Sequence, residues 1–312
     1  MQDDWIIQYI DLMFGPDHDY ETMTQAAKLK FEHMPTQLFK YRSLNSKHTW
    51  EALESDTLYV DKTSNQNDKR EANIILTRDA EISVQQVVYG NVLKSYGLPL
   101  PSTPLSGTEE FMKYVTELFR KRSMINDGPN LIGTSNYQTL KQSLDRAFDV
   151  FMDDIRKSVR QMYSICCFSA VNDDDLMWAH YADSTKGCCI EYPFKALGSA
   201  HPDVACMFPA IYVEDNRVYM NRYEPEKGAD GSVCMFAATL KTSQWAYEKE
   251  WRRLYLATDG GKTQSMPEPS AIYMGQDISP EHKKKILELC ERRRIKAYQM
   301  KYDQSSDRII FI

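Results

Sequence analysis

Residues 244–252 read Gln-Trp-Ala-Tyr-Glu-Lys-Glu-Trp-Arg, and Leu254-Tyr255-Leu256 follow. The aromatic and aliphatic content predicts a strand at 250–256, and an extended backbone from 248 would continue it. Side chains alternate along a strand, so an extended backbone puts Glu248 and Glu250 on one face. Two like charges on one face repel. The pair therefore either lies solvated at an exposed strand end, with the tryptophans in the core, or serves a cleft. Carboxylates framed by Trp245, Tyr247 and Trp251 suit a sugar or a cationic centre.

Further strands are predicted on both sides of this one, at 38–41, 57–60, 163–169, 187–192, 204–213, 271–274, 295–302 and 307–312. Short helices separate them, at 47–53, 173–181 and 280–293. The last has Ser279 as N-cap and Pro280 at its first position. Residues 1–36 form an N-terminal helical segment stopped by Pro35, and residues 61–73 form a polar loop. Residues 81–162 read as a helical insertion. Its last helix has an apolar face of Leu140, Leu144, Ala147, Phe151, Ile155, Val159 and Met162, and a start capped by Thr134 or Ser135. Three prolines between Gly97 and Gly107 break the block into separate helices. The pattern predicts an α+β fold. Its core is a mixed, mainly antiparallel sheet, and residues 37–312 form a single domain that carries the insertion.

The 312 residues carry a net charge of −6, with 26% charged and 42% hydrophobic residues, which is the balance of a soluble globular protein. That charge gives no broad electrostatic footprint for nucleic acid. No apolar run of about 18 residues is present, so no membrane association is expected. Seven cysteines without Cys-x-x-Cys spacing point to neither a disulfide framework nor a zinc site, and to a reduced, cytoplasmic protein.

Three further clusters offer chemistry. Phe39-Lys40-Tyr41-Arg42 ends an early strand, where an arginine can clamp a phosphate. Cys166-Cys167-Phe168-Ser169 ends another, without the glycines of a nucleophile elbow. The helix with Leu176, Met177, Trp178, His180 and Tyr181 packs Leu176, Trp178 and Tyr181 inward and offers Tyr181 as a stacking platform. His180 has no second histidine at metal spacing, so no metal ligands are assigned.

These segments resemble a widespread bacterial family labelled as a domain of unknown function. Its members carry Lys-Tyr-Arg, Cys-Phe-Ser, Met-Trp-x-His-Tyr-Ala-x-x-x-x-Gly and Tyr-Glu-x-Glu-Trp-Arg. Here these are residues 40–42, 167–169, 177–187 and 247–252. The family's Asn-Asp-Pro-Phe-Glu is Asn67-Asp68-Lys69-Arg70-Glu71 in this chain, so the Pro-Phe is lost.

The order Arg, Ser, Glu-x-Glu is further similar to the ADP-ribosyltransferase pattern. That resemblance implies NAD as substrate. Arg42 would hold its phosphates or ribose, Ser169 would support the pocket, and Glu250 would orient the ribose. Glu248 would help present a macromolecular acceptor, a protein or a nucleic acid. Tyr41, His180 and Tyr181 complete the expected binding set. The expected function is an NAD-consuming ADP-ribosyltransferase or glycohydrolase, as a bacterial toxin or phage-defence effector. One alternative is a non-catalytic interaction or sensor module, in which Glu248 pairs structurally with Arg252 or Arg42. Another is a metal-dependent nuclease or hydrolase using His180, Glu191 and the glutamate pair.

Overall fold

The computed structural model describes residues 3–15, 19–62, 74–76, 78–95, 97–122, 134–214, 218–220, 231–256 and 262–312. The chain opens with α1 (Asp4–Phe14), α2 (Tyr20–His33), β1 (Leu38–Arg42), α3 (Lys47–Ser55) and β2 (Thr57–Lys62). Next come β3 (Ile74–Leu76), α4 (Arg78–Ser95), α5 (Thr108–Arg122) and α6 (Thr134–Met162). The middle holds β4 (Tyr163–Ser169), α7 (Asp175–Tyr181), β5 (Cys188–Tyr192), α8 (Pro202–Ala205), β6 (Met207–Pro209), β7 (Ile211–Val213) and β8 (Val218–Met220). It continues through α9 (Gly231–Thr239), β9 (Leu240–Thr242), β10 (Glu250–Leu256) and β11 (Lys262–Ser265). The chain closes with β12 (Ala271–Met274), α10 (Pro280–Arg293), β13 (Lys296–Asp303) and β14 (Arg308–Phe311).

The fold is mixed α and β around a mostly antiparallel sheet, as the sequence predicts. Contacts divide it into two compact units, one of residues 1–72, 161–216 and 238–312, the other of 73–160 and 217–237.

The first unit contains a sheet of 10 strands among the described residues, with β11-β2-β4-β1-β5-β12-β13-β14 in order, β10 added beside β4 and β6 added beside β10. β10 runs antiparallel to β4 along its whole length, from Glu250 opposite Ser169 to Leu256 opposite Tyr163. The other edge of β4 pairs with β1, where Phe39 faces Ser169, and with β2 near Ser164. Directly opposed residues share a face, so Phe39, Ser169 and Glu250 point the same way.

One face carries Leu38, Phe168, Ile190, Trp251 and Ile272. It packs against Ala52 and Leu53 of α3 and Ile286, Leu289 and Cys290 of α10. The other carries Tyr41 and Cys189 beneath Met177 and Trp178 of α7. Trp178 is fully buried, edge-on to Tyr41 at 5.3 Å, and its Nε1 donates to the Asn172 carbonyl at 2.7 Å. The inward set of α7 differs from the one the sequence predicts. Leu176 is exposed and Met177 takes its place. The helix starts at Asp175, where the Asp174 side chain accepts from Met177 N and caps it.

The N-terminal helices also belong to this unit. Lys30 of α2 is buried and donates to the carbonyls of Val204 and Ala205, while Lys195 donates to those of Glu32 and Met34 at the end of α2. The strand predicted over 204–213 is broken in the structure. Residues up to Ala205 are helical, and Ala210 separates β6 from β7.

The second unit contains α4, α5 and most of α6, with β3 and β8 paired in parallel. Its core is Tyr89, Leu93, Phe111, Met112, Val115 and Leu144. The proline-containing connection is tied down by Gln86, whose side chain donates to the Leu105 carbonyl and accepts from Leu105 N. On α6 Leu144 is buried as predicted, but Ala147 is exposed and Met152 is buried instead. The residues before Thr134, the side chains of Leu140, Ile155 and Val159, and the predicted loop beyond Lys62 lie outside the described residues.

Candidate functional site

Glu248 does not lie on the strand. Residues 243–248 form a 3-10 turn, Lys249 takes a left-handed backbone at φ 42°, and only Glu250 begins β10. The reversal at Lys249 nevertheless returns the Glu248 side chain to the same place as Glu250. Both carboxylates accept hydrogen bonds from the ammonium of Lys241, on β9. The glutamates are therefore not solvated at a strand end. Their side chains are 5% and 2% exposed, and that of Lys241 is 7% exposed.

The rest of the cluster balances this charge. Arg252, fully buried, donates through Nε to Glu250 Oε1 at 2.8 Å and through Nη1 to the carbonyls of Ala238 and Leu240. Tyr181 Oη donates to Glu248 Oε1 at 2.7 Å. Tyr212 of β7 accepts from Glu250 N at 2.8 Å, and β7 holds β9 in parallel register with Tyr212 opposite Lys241. Ser169 Oγ donates to the Glu248 carbonyl at 2.7 Å and accepts from Val171 N, which fixes the turn before β10 onto the end of β4. Lys241 also lies 5.5 Å from the Trp245 ring centroid.

The two carboxylates differ in proton affinity. Burial and the neighbouring Glu250 charge push Glu248 up to about 7, against the pull of Lys241 and Tyr181. Burial also acts to raise Glu250, but Arg252 and Lys241 overcome it and hold Glu250 below the ordinary carboxylate range. Burial acts to lower Lys241, yet Glu250 and Glu248 carry it above the ordinary lysine value. The asymmetry follows from the partners, because Glu250 has its own arginine whereas Glu248 shares one ammonium and otherwise meets a neutral phenol.

A cleft of about 650 Å³ reaches Glu250. Its walls include Trp5, His33, Trp251, Tyr212, Lys249 and Glu214. Trp5 stacks on His33 with ring centroids 4.5 Å apart and lies nearly parallel to Trp251 at 6.4 Å.

Of the residues singled out from sequence, Glu248, Glu250, Ser169 and Tyr181 come together. Tyr41 is buried under α7 and donates to the Val171 carbonyl at 3.0 Å. His180 is exposed on the far part of α7. Arg42 is not brought to the carboxylates. It stands three positions along β1 from Phe39, which shares a face with Glu250, so alternation sends Arg42 to the opposite face of the sheet. Glu191, the other carboxylate considered, accepts from Ser270 Oγ and Tyr273 Oη at 2.6 Å each, in a separate cluster. Among the described residues no group of three His, Cys, Asp or Glu is arranged to hold a metal ion, and no helix is long and apolar enough to cross a membrane.

Sequence reasoning missed Lys241, Tyr212 and the pairing of Arg252 with Glu250. A signal for Lys241 exists, since it is the only charged residue in 231–247. A lone charge in such a stretch is buried only with a partner.

No curated protein and no solved structure matches the chain. Residues 177–253 match the model of a family described as "Protein of unknown function (DUF2971)", and this segment contains Tyr181, Lys241, Glu248, Glu250 and Arg252.

Proposed function

We propose that the chain is a carboxylate-dependent enzyme that breaks the nicotinamide–ribose bond of NAD and passes the ADP-ribosyl group to water or a macromolecular acceptor. One observation carries this reading: two adjacent buried carboxylates of opposed proton affinity, of which Glu250 is also a lining residue of an aromatic-walled cleft. The C1′–N bond breaks with its electron pair moving to the ring nitrogen, so nicotinamide leaves neutral. The positive charge that develops on the ribose is stabilised by ionised Glu250. The incoming oxygen or nitrogen bonds to C1′ and gives its proton to Glu248. Lys249, exposed on the cleft wall, takes the phosphate-facing role that the sequence suggested for Arg42.

Binding is tested by titrating NAD against tryptophan fluorescence. Trp5 and Trp251 line the cleft, so saturable quenching is expected, reduced in Trp5→Phe. No quenching up to millimolar NAD contradicts the proposal.

A second reading has a specific observation in its favour. The cluster is charge-balanced and almost closed to solvent, as in a structural clasp of a non-catalytic interaction module. In that case Glu250→Gln changes stability and NAD does not bind.

A further inference from the structure

We propose that Lys241 is the positioning residue of this site: its ammonium gathers Glu248 and Glu250 to one point and lets the pair hand over a proton rather than lock it. The inference rests on the carboxylate pair being the reacting site.

The geometry carries the argument. Glu248 and Glu250 lie on different elements, a 3-10 turn and a strand, with a left-handed residue between them. Two buried carboxylates left alone would repel and turn apart. Lys241 donates to an oxygen of each, and β9 is held in place by its pairing with β7 and by the bonds from Arg252 to the Ala238 and Leu240 carbonyls. The ammonium is thus delivered by a fixed strand.

The groups that face the pair explain the rest. They are Lys241 from β9, Arg252 from β10, Tyr181 from α7, Tyr212 from β7 and Cys167 from β4. Arg252 secures Glu250 whether or not Lys241 is present. Glu248 has Lys241 as its cation and Tyr181 as a neutral donor. Without Lys241, a buried Glu248 beside ionised Glu250 holds its proton more tightly and is a poorer acceptor of one from a nucleophile at neutral pH. With Lys241, the proton is exchangeable near neutrality, where a general base is most effective.

The test is an isotope-edited infrared or carboxyl-carbon NMR titration of wild type, Lys241→Met, Lys241→Gln and Lys241→Arg, with the Glu248 signal assigned by Glu248→Gln. In Lys241→Met the Glu248 titration is expected to move upward by about one pH unit or more. Lys241→Gln keeps a donor without charge and moves it the same way, which decides the matter if the methionine variant does not fold. Lys241→Arg restores charge and returns the midpoint toward wild type. A lysine that holds the fold without setting the proton affinity of Glu248 would lower stability and leave the midpoint in place. That result, or uptake of the proton by Glu250, overturns the proposal. The titration needs no substrate, so its outcome stands apart from whether NAD is cleaved. If NAD is cleaved, the acidic limb of the pH–rate profile moves upward with the midpoint.

Discussion

Arg252 Nε meets Glu250 Oε1 at 2.8 Å from two positions along the same strand, and both side chains are almost wholly buried. The pairing follows from strand alternation, which places residues i and i+2 on one face. Arg252 also ties β10 to the end of α9 and the start of β9 through the carbonyls of Ala238 and Leu240. Removing the guanidinium leaves a buried carboxylate short of a cation and two carbonyls short of a donor. Arg252→Met is therefore expected to destabilise the protein by about 3–5 kcal/mol. Arg252→Lys recovers only part of this, because an ammonium cannot reproduce the fork. Urea unfolding measures both. A loss below about 1 kcal/mol for Arg252→Met would show that the pair does not hold the site.

The raised proton affinity of Glu248 predicts a pH dependence of stability. Between the ordinary value of 4.5 and about 7, the folded protein keeps a proton that the unfolded chain has released. The unfolded state then binds fewer protons, so stability falls as pH rises through this window, by up to about 3 kcal/mol. Glu250 acts in the opposite sense and at lower pH. Its depressed value contributes stability above the unfolded value of 4.5 that is lost as the solution is acidified through its folded value. Glu248→Gln is expected to flatten the decline between about pH 5 and pH 8 and to leave the acid limb unchanged. Denaturant titrations of both proteins across this range check it. An equal slope in the variant contradicts the assignment.

Gly187, the glycine of the segment resembling Met-Trp-x-His-Tyr-Ala-x-x-x-x-Gly, has a steric cause. An added Cβ would lie 2.2 Å from the Arg42 carbonyl oxygen and 2.8 Å from that of Ala182. Both are backbone atoms that cannot step aside cheaply. Gly187→Ala is expected to cost about 1–3 kcal/mol or more by pushing the end of α7 from β1. Since α7 carries Tyr181, this change also loosens the contact to Glu248. Thermal unfolding supplies the first number, and the Glu248 titration supplies the second effect. A variant as stable as wild type would show that the backbone approach is not needed.

Much of the sheet is readable from local pattern. β4, β10 and β12 fall where apolar and aromatic runs place them, and Ser279 and Pro280 mark the start of α10. Glu248 shows where local reading stops. Alternation along an extended backbone would place it on the strand, but one left-handed backbone at Lys249 ends that alternation, and nothing in Glu-Lys-Glu announces it. The carboxylates still meet because of Lys241, which is distant from the aromatic motif in texture and joins it through β7–β9 pairing. Arg42 illustrates the complementary failure. Its residue type suits an anion clamp, yet its face is decided by register with β4, a non-local quantity that one sequence does not carry. Met177 and Leu176 exchange inward places on α7 because residues two apart lie about 200° apart around a helix, so the face of Trp178 includes Met177 and Tyr181 and excludes Leu176.

The most direct test of the carboxylate-pair account is nicotinamide release from NAD by wild type and Glu250→Gln, assayed together on samples shown to be equally folded. The account predicts release by wild type and a drop of about 100-fold or more in the variant. Equal release by both proteins, or none by wild type across the pH range in which Glu248 titrates, would contradict it.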